Sequence, residues 1–293
     1  MSANAALAES YHVDLQVLAP NAEGGAEKPA GKLLFFPDHR HRPLITPRED
    51  LAKEPSDDSP PDEDLENAIS PRPGLPEGVS MNKTINGIER IMESGYYDEP
   101  DGDSINGYYQ DRAIIGRDTP INGGVYLGAG QREAIVVDDS KSIYLDRIYR
   151  DFMAETADIQ KTFHFRAGIL GFIYDKVREV MPADQELAER IAGPYQKDNK
   201  LSLDVFIAGK AGVCRHQALL TGYLLERLIK EGYIGGKVSV DRNSIRGVGG
   251  HAWVRYTDED SLVSIIDPTQ GYIGKLFAVD PSQRWFYKRP EDM

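Results

Sequence analysis

Proline and acid crowd one end of this chain, and the crowding limits where a folded core can lie. Residues 1–80 hold 11 of the 18 prolines. They carry 15 acids against 7 bases, so −8 of the net −13 charge lies there. From Glu49 to Glu66 (EDLAKEPSDDSPPDEDLE) nine acids face one base. Such a run repels itself and buries too little apolar surface to offset chain entropy. Residues 1–80 are therefore predicted to form a largely disordered, acidic, Pro-rich extension, with about 46–79 as an extended linker. An acidic arm of this kind can meet a basic protein partner. Within it, 10–18 (SYHVDLQVL) and 32–36 (KLLFF) have the composition of short strands. His39 and His41 have metal-ligand spacing, but beside Arg40, Arg42 and two prolines they read as a surface loop.

The remaining chain is long enough for a sizeable core: the whole has 293 residues, 40% of them hydrophobic. The acidic balance gives no electrostatic footprint for nucleic acid or an anionic membrane. A single cysteine excludes an internal disulfide framework and a Cys-based zinc ribbon. The start, MSANAALAESYHVD, has neither the basic region nor the apolar run of a signal peptide. The longest apolar stretch, 167–174 (AGILGFIY), is far short of the roughly 18–20 residues of a membrane span. A cytoplasmic location is expected, with export as an effector left open.

Residues 81–140 read as a small β-rich accessory segment. Ile-Asn-Gly recurs at 85–87, 105–107 and 121–123, and Asn-Gly favours turns with positive φ, here read as hairpin turns. Short β-prone runs follow at 112–116, 124–128 and 133–138. The acidic stretch after Asp101 fails as a calcium loop: the glycine position holds Asn106 and the closing glutamate position holds Arg112.

From 141 the periodicity becomes helical. Ser142 is placed to cap a helix to about Thr156, with Leu145, Ile148 and Phe152 on one face. Phe163, Leu170, Ile173, Val177 and Val180 predict a helix over 162–180, closed by Pro182. A short helix is expected at 184–191 and a strong one at 214–230, led in by Gly209 and Gly212. Three β-like runs end the core, at 236–242, 251–256 and 261–266. Helices followed by an antiparallel sheet predict an α+β fold for 141–293.

One constellation carries chemistry. Cys214 falls at the start of the strong helix, where unpaired amides and the macrodipole favour thiolate. His251 begins a strand and Asp267 ends the next. If the two strands pair as a hairpin, His251 and Asp267 become neighbours and the helix presents Cys214 to them. Nucleophile, base and orienting carboxylate are the groups that acyl transfer through a thioester requires. The Cys214 amide is a natural oxyanion donor, with Tyr195, Gln196 and Gln160 as candidates for a second. His216, two residues along the helix, faces away from the base position. It reads with Arg215 as support or as a substrate contact. Trp253 shares a strand face with His251 and is expected to wall the cleft. Taken singly each residue has a plainer reading: a lone cysteine is most often a small buried hydrophobe, and Asp-Pro commonly opens a turn.

Three blocks, GVCRHQALL (212–220), GHAWVRY (250–256) and IIDPT (265–269), resemble the signatures of transglutaminase-like cysteine enzymes. That superfamily includes tissue transglutaminases, microbial transglutaminase-like peptidases and peptide N-glycanases. The resemblance covers about 160–275. It implies a papain-like α+β core with the nucleophile helix packed on an antiparallel sheet. It also implies Cys214 as nucleophile, His251 as base and Asp267 as orienting residue, acting on a protein or peptide substrate without cofactor or metal. Arg215 stands where animal crosslinking enzymes have tryptophan, and the CxxC pairs of the N-glycanases are absent. The CRHxA form is closer to transglutaminase-like domains of bacterial proteins and of some plant kinases. Peptidase, glutamine deamidase and acyl transferase all fit this pattern. So does a non-catalytic interaction module that keeps the fold, and residues 1–80 have the position of a pro-segment over the cleft.

Overall fold

Apolar residues recurring at three and four build the helices, and paired β-prone runs build the sheet against them. The computed structural model describes residues 79–80, 108–109, 111–128, 133–160, 163–195, 200–245, 249–280 and 285–293, all within the unit Arg48–Met293. The protein is mixed α+β. Its strands are β1 (Val79–Ser80), β2 (Tyr108–Tyr109), β3 (Arg112–Ala113), β4 (Val125–Leu127), β5 (Ala134–Val136), β6 (Lys200–Ser202), β7 (Lys237–Ile245), β8 (Gly249–Thr257), β9 (Val263–Asp267) and β10 (Tyr272–Lys275). Its α-helices are α1 (Leu145–Glu155), α2 (Phe163–Val180), α3 (Gln185–Ala192), α4 (Asp204–Ala208) and α5 (Cys214–Lys230).

The largest sheet has the order β1-β7-β8-β9-β10, with every neighbouring pair antiparallel. Helix α5 packs across β7, β8 and β9, and α2 packs on α5. The helix is central rather than amphipathic: His216 through Leu225 are all buried. Gly222 permits this depth. A Cβ there would lie 2.6 Å from Ile121 Cδ1 and 3.2 Å from Val240 Cγ2, too close on both sides of the helix for an unshifted neighbour. The 8–9 hairpin runs in register from Thr257 opposite Val263 to Val254 opposite Ile266. It therefore brings the start of β8 towards the end of β9.

Three details depart from the sequence expectations. Helix α1 begins at Leu145, not at Ser142, although the Ser142 hydroxyl still accepts the Leu145 N–H at 2.8 Å. The turn at 121–123 forms with Gly123 at φ 86°, but it is not a hairpin turn, because Ile114 bridges Val125 in the parallel sense. Finally, β5 pairs with β6 in parallel, so a short sheet β4-β5-β6 joins two stretches far apart in sequence. Ile115, Ile121, Tyr126, Ile135 and Val137 belong to the same core cluster as α1, α2, α3 and α5.

Apart from 79–80, which pair with the end of β7, the proposed 1–80 extension lies outside the described residues. So do His39, His41, the two strand candidates before them and the Ile-Asn-Gly turns at 85–87 and 105–107. Among the described residues no helix is long and apolar enough to cross a membrane.

Candidate active site

The site forms where the first turn of α5 meets the open end of the 8–9 hairpin. Before α5 the chain is pinned on both sides: Gly212 N–H donates to Pro182 O, and Asp184 N–H donates to Gly212 O, each at 3.0 Å. A Cβ on Gly212 would meet Met181 and His216 at 2.9–3.1 Å. Glycine thus lets the segment ahead of the cysteine lie flat on the end of α2. Val213 is extended, and the first intrahelical bond is Gln217 N–H to Val213 O at 3.1 Å. The amides ahead of it point out of the helix end, where the dipole is positive. Cys214 stands there, only 4% exposed.

Two neighbours of Cys214 hold this helix tip. His216 Nδ1 accepts the Val213 N–H at 3.0 Å, so its ring proton sits on Nε2, 2.9 Å from Glu133 Oε1. The Arg215 Nε donates to the same oxygen at 2.8 Å, and Nη2 lies 2.7 Å from it. Burial opposes charge on Glu133, but Arg215 and His216 overcome it and hold the carboxyl well below the usual carboxylate range. The His216 ring also stacks on Phe206 at 3.7 Å. Both residues support the helix, and neither lines the cleft.

His251 and Asp267 meet as the strand pairing requires. His251 Nε2 lies 2.5 Å from Asp267 Oδ2, with both side chains buried. Asp267 Oδ1 accepts the Gln270 N–H at 3.0 Å, and Oδ2 accepts the Tyr287 hydroxyl at 2.9 Å. Cys214 is the second charge and hydrogen-bond partner of the His251 imidazole. With Nε2 committed to Asp267, Nδ1 is the nitrogen available to sulfur. Burial works against the imidazolium, yet the charges of Asp267 and Cys214 and their hydrogen bonds prevail and raise its pKa from 6.5 to about 10. Trp285 stacks on the ring at 4.6 Å and 20°.

Cys214 and His251 open on one cleft, walled by Ala183, Gln185, Gly250, Thr269, Gln270 and Trp285 among others. Gln217, three residues after Cys214, ties the walls together. Its Nε2 donates to Met181 O at 2.8 Å and its Oε1 accepts from the Thr269 hydroxyl at 2.6 Å. Helix α5 is thereby linked to the turn that follows Asp267.

The sequence-derived residues Cys214, His251 and Asp267 thus come together. Other expectations fare differently. Trp253 does share a face with His251, at 6.0 Å between rings, but it is fully buried among Ile265, Leu276, Trp285 and Tyr287. The tryptophan that walls the cleft is Trp285. Of the candidate second oxyanion donors, Gln160 is turned to Met153 O and Thr156. Tyr195 packs against the main core, away from the cleft lining. Gln196 lies outside the described residues. Gln185, on the cleft wall, carries an amide that sequence reading passed over; its Nε2 donates to Glu189 at 2.9 Å. Tyr287 was missed as well, since one tyrosine near a chain end has no periodic or motif signal. Among the described residues no group of three or more His, Cys, Asp or Glu is placed to hold a metal ion.

Comparison with known proteins returned no match, whether to a family model, a curated protein or a solved structure.

Proposed function

We propose that this protein is a transglutaminase-like cysteine amidase with a papain-like core, using Cys214, His251 and Asp267 as a catalytic triad. The observation that carries this reading is the shared cleft. It holds a cysteine at a helix N-terminus and a histidine whose far nitrogen is bound to a buried carboxylate. In this proposal the Cys214 thiolate attacks the carbonyl carbon of a peptide bond or a glutamine side chain. The carbonyl π electrons move to oxygen, which the Cys214 amide at the helix end stabilises. The tetrahedral adduct collapses to a thioester, the C–N bond breaks, and the leaving nitrogen takes the proton held by His251. Water then attacks the thioester, gives its proton back to His251 and releases the acid and the thiolate. Asp267 keeps the imidazole in one orientation throughout and stabilises its charged form. Hydrolysis is favoured over transfer because water needs no second binding site.

Intact-mass analysis of candidate proteins tests the reading. A gain of about one mass unit per site identifies deamidation, shorter fragments identify peptidase action, and amine adducts or dimers identify transfer. All must vanish with Cys214→Ala. Turnover retained in that variant would contradict the assignment. Failure of wild-type Cys214 to react with thiol-directed electrophiles faster than an ordinary cysteine would favour a binding module instead.

A further inference from the structure

We propose that Tyr287, carried by the C-terminal segment 285–292, is the positioning residue of the triad: its hydroxyl fixes the Asp267 oxygen that pairs with His251. The inference rests on the triad reading above. A carboxylate at a strand end turns freely about its last bond unless both oxygens are held. Here Oδ1 is held by the Gln270 N–H, within the same turn. Oδ2 faces His251 and is held from the other side by Tyr287, 20 residues further along the chain.

The segment is built to keep that hydroxyl still. The Tyr287 ring is 2% exposed. It meets Trp253 edge-on at 5.2 Å and stacks with Tyr272 at 5.5 Å. On one side of it, Asn243 Nδ2 donates to Phe286 O at 2.5 Å. On the other, Arg289 reaches Asp241 Oδ1 and Oδ2 at 2.5 and 2.6 Å and Ser239 Oγ at 3.0 Å. Beyond these, Arg255 grips Asp292 with two bonds of 2.7 Å. Burial first, and then the charge of Asp267, push the Tyr287 hydroxyl well above its usual range. It therefore stays a donor wherever Asp267 is an acceptor.

Among the described residues, Tyr272 of β10 faces Tyr287. Asp267 from β9 and Cys214 from α5 act on His251. Tyr287 and Tyr174 of α2 act with Asp267, and Tyr174 itself accepts from Arg178 at 2.7 Å. Asn243, opposite His251 on β7, is neutral.

Titration of the histidine rings by NMR in the full chain tests the proposal, with His251→Gln assigning the resonance. Wild type should keep His251 protonated to about pH 10. Tyr287→Phe keeps the ring and its packing but leaves Oδ2 held from the His251 side alone, so the midpoint should fall by about one unit, a tenfold weaker hold on the proton. Alkylation of Cys214 near pH ~6 should slow by a comparable factor in the same variant. A wild-type His251 titrating near 6.5 would sink the triad reading itself. A wild type as described, with Tyr287→Phe unchanged or shifted upward, would overturn the positioning role alone.

Discussion

The two walls of the cleft are held by different physics. On the helix side, the segment that carries Cys214 is held by the buried Glu133 carboxylate, which binds Arg215 and His216, one and two residues further along. On the sheet side, His251 and Asp267 are kept by aromatic rings, Trp253, Trp285, Tyr272 and Tyr287. Half of those rings arrive on the C-terminal segment, itself anchored by the buried Arg289–Asp241 pair. A buried ionic anchor is sensitive to loss of either charge, because the remaining one is left without a partner. An aromatic frame fails more gradually, through lost packing area. Both walls should therefore respond to charge changes, the helix wall at Glu133 and the sheet wall through the Arg289 anchor of its tail.

The largest effect expected is chemical. Asp267→Asn should lower turnover by about 10⁴-fold through the wrong imidazole tautomer, and His251→Ala by at least as much. Kinetics on any substrate found by mass analysis check this, and a loss below about tenfold would show that the sheet side is not catalytic. Next come the anchors. Arg289→Met leaves Asp241 buried without its cation and should cost about 3–5 kcal/mol in urea unfolding. Glu133→Gln, which keeps shape and some hydrogen bonding, should cost about 2–3 kcal/mol. If Glu133→Gln were neutral, the helix wall would not be ionically held.

The pH limits should separate the two sides as well. The depressed Glu133 pKa means its contribution is present above its ordinary 4.5 and is lost as pH falls towards its folded value in strong acid. The raised His251 pKa means its contribution is fully present below 6.5 and is lost as pH rises through about 10. Stability measured across pH should lose part of its acid limb in Glu133→Gln and part of its alkaline limb in His251→Gln, not the reverse. The smallest effect is expected for Cys214→Ala. It removes one sulfur and should change stability by less than about 2 kcal/mol while ending all turnover.

The helix wall could be read in the chain before folding, the sheet wall only in part. Helix α5 is legible to its ends: Gly212 precedes it, Leu220, Leu224, Leu225 and Leu228 recur at three and four, and Gly232 follows. His251 and Asp267 were visible because the turn between two β-prone runs sets their register. Local signals of this kind survive without any knowledge of the fold. What escaped depends on contacts between distant segments. The parallel pairing of β5 with β6, the link from Gln217 to Thr269, and the arrival of Trp285 and Tyr287 under His251 follow from tertiary packing, which no periodicity encodes. Trp253 illustrates the limit: strand alternation gave its face correctly, but the ring that Trp285 lays over His251 belongs to a segment with no regular pattern. The role of Arg215 and His216 was narrowed only when Glu133, some 80 residues earlier, appeared beside them.

The proposed triad requires sulfur and imidazole to form a charged pair in the resting protein. The pH dependence of Cys214 alkylation measures it directly in the full chain, without a substrate. The charged pair predicts rapid modification already at about pH 6, lost in His251→Ala. A rate that climbs only around pH ~8.5, and does so equally in both proteins, would contradict it.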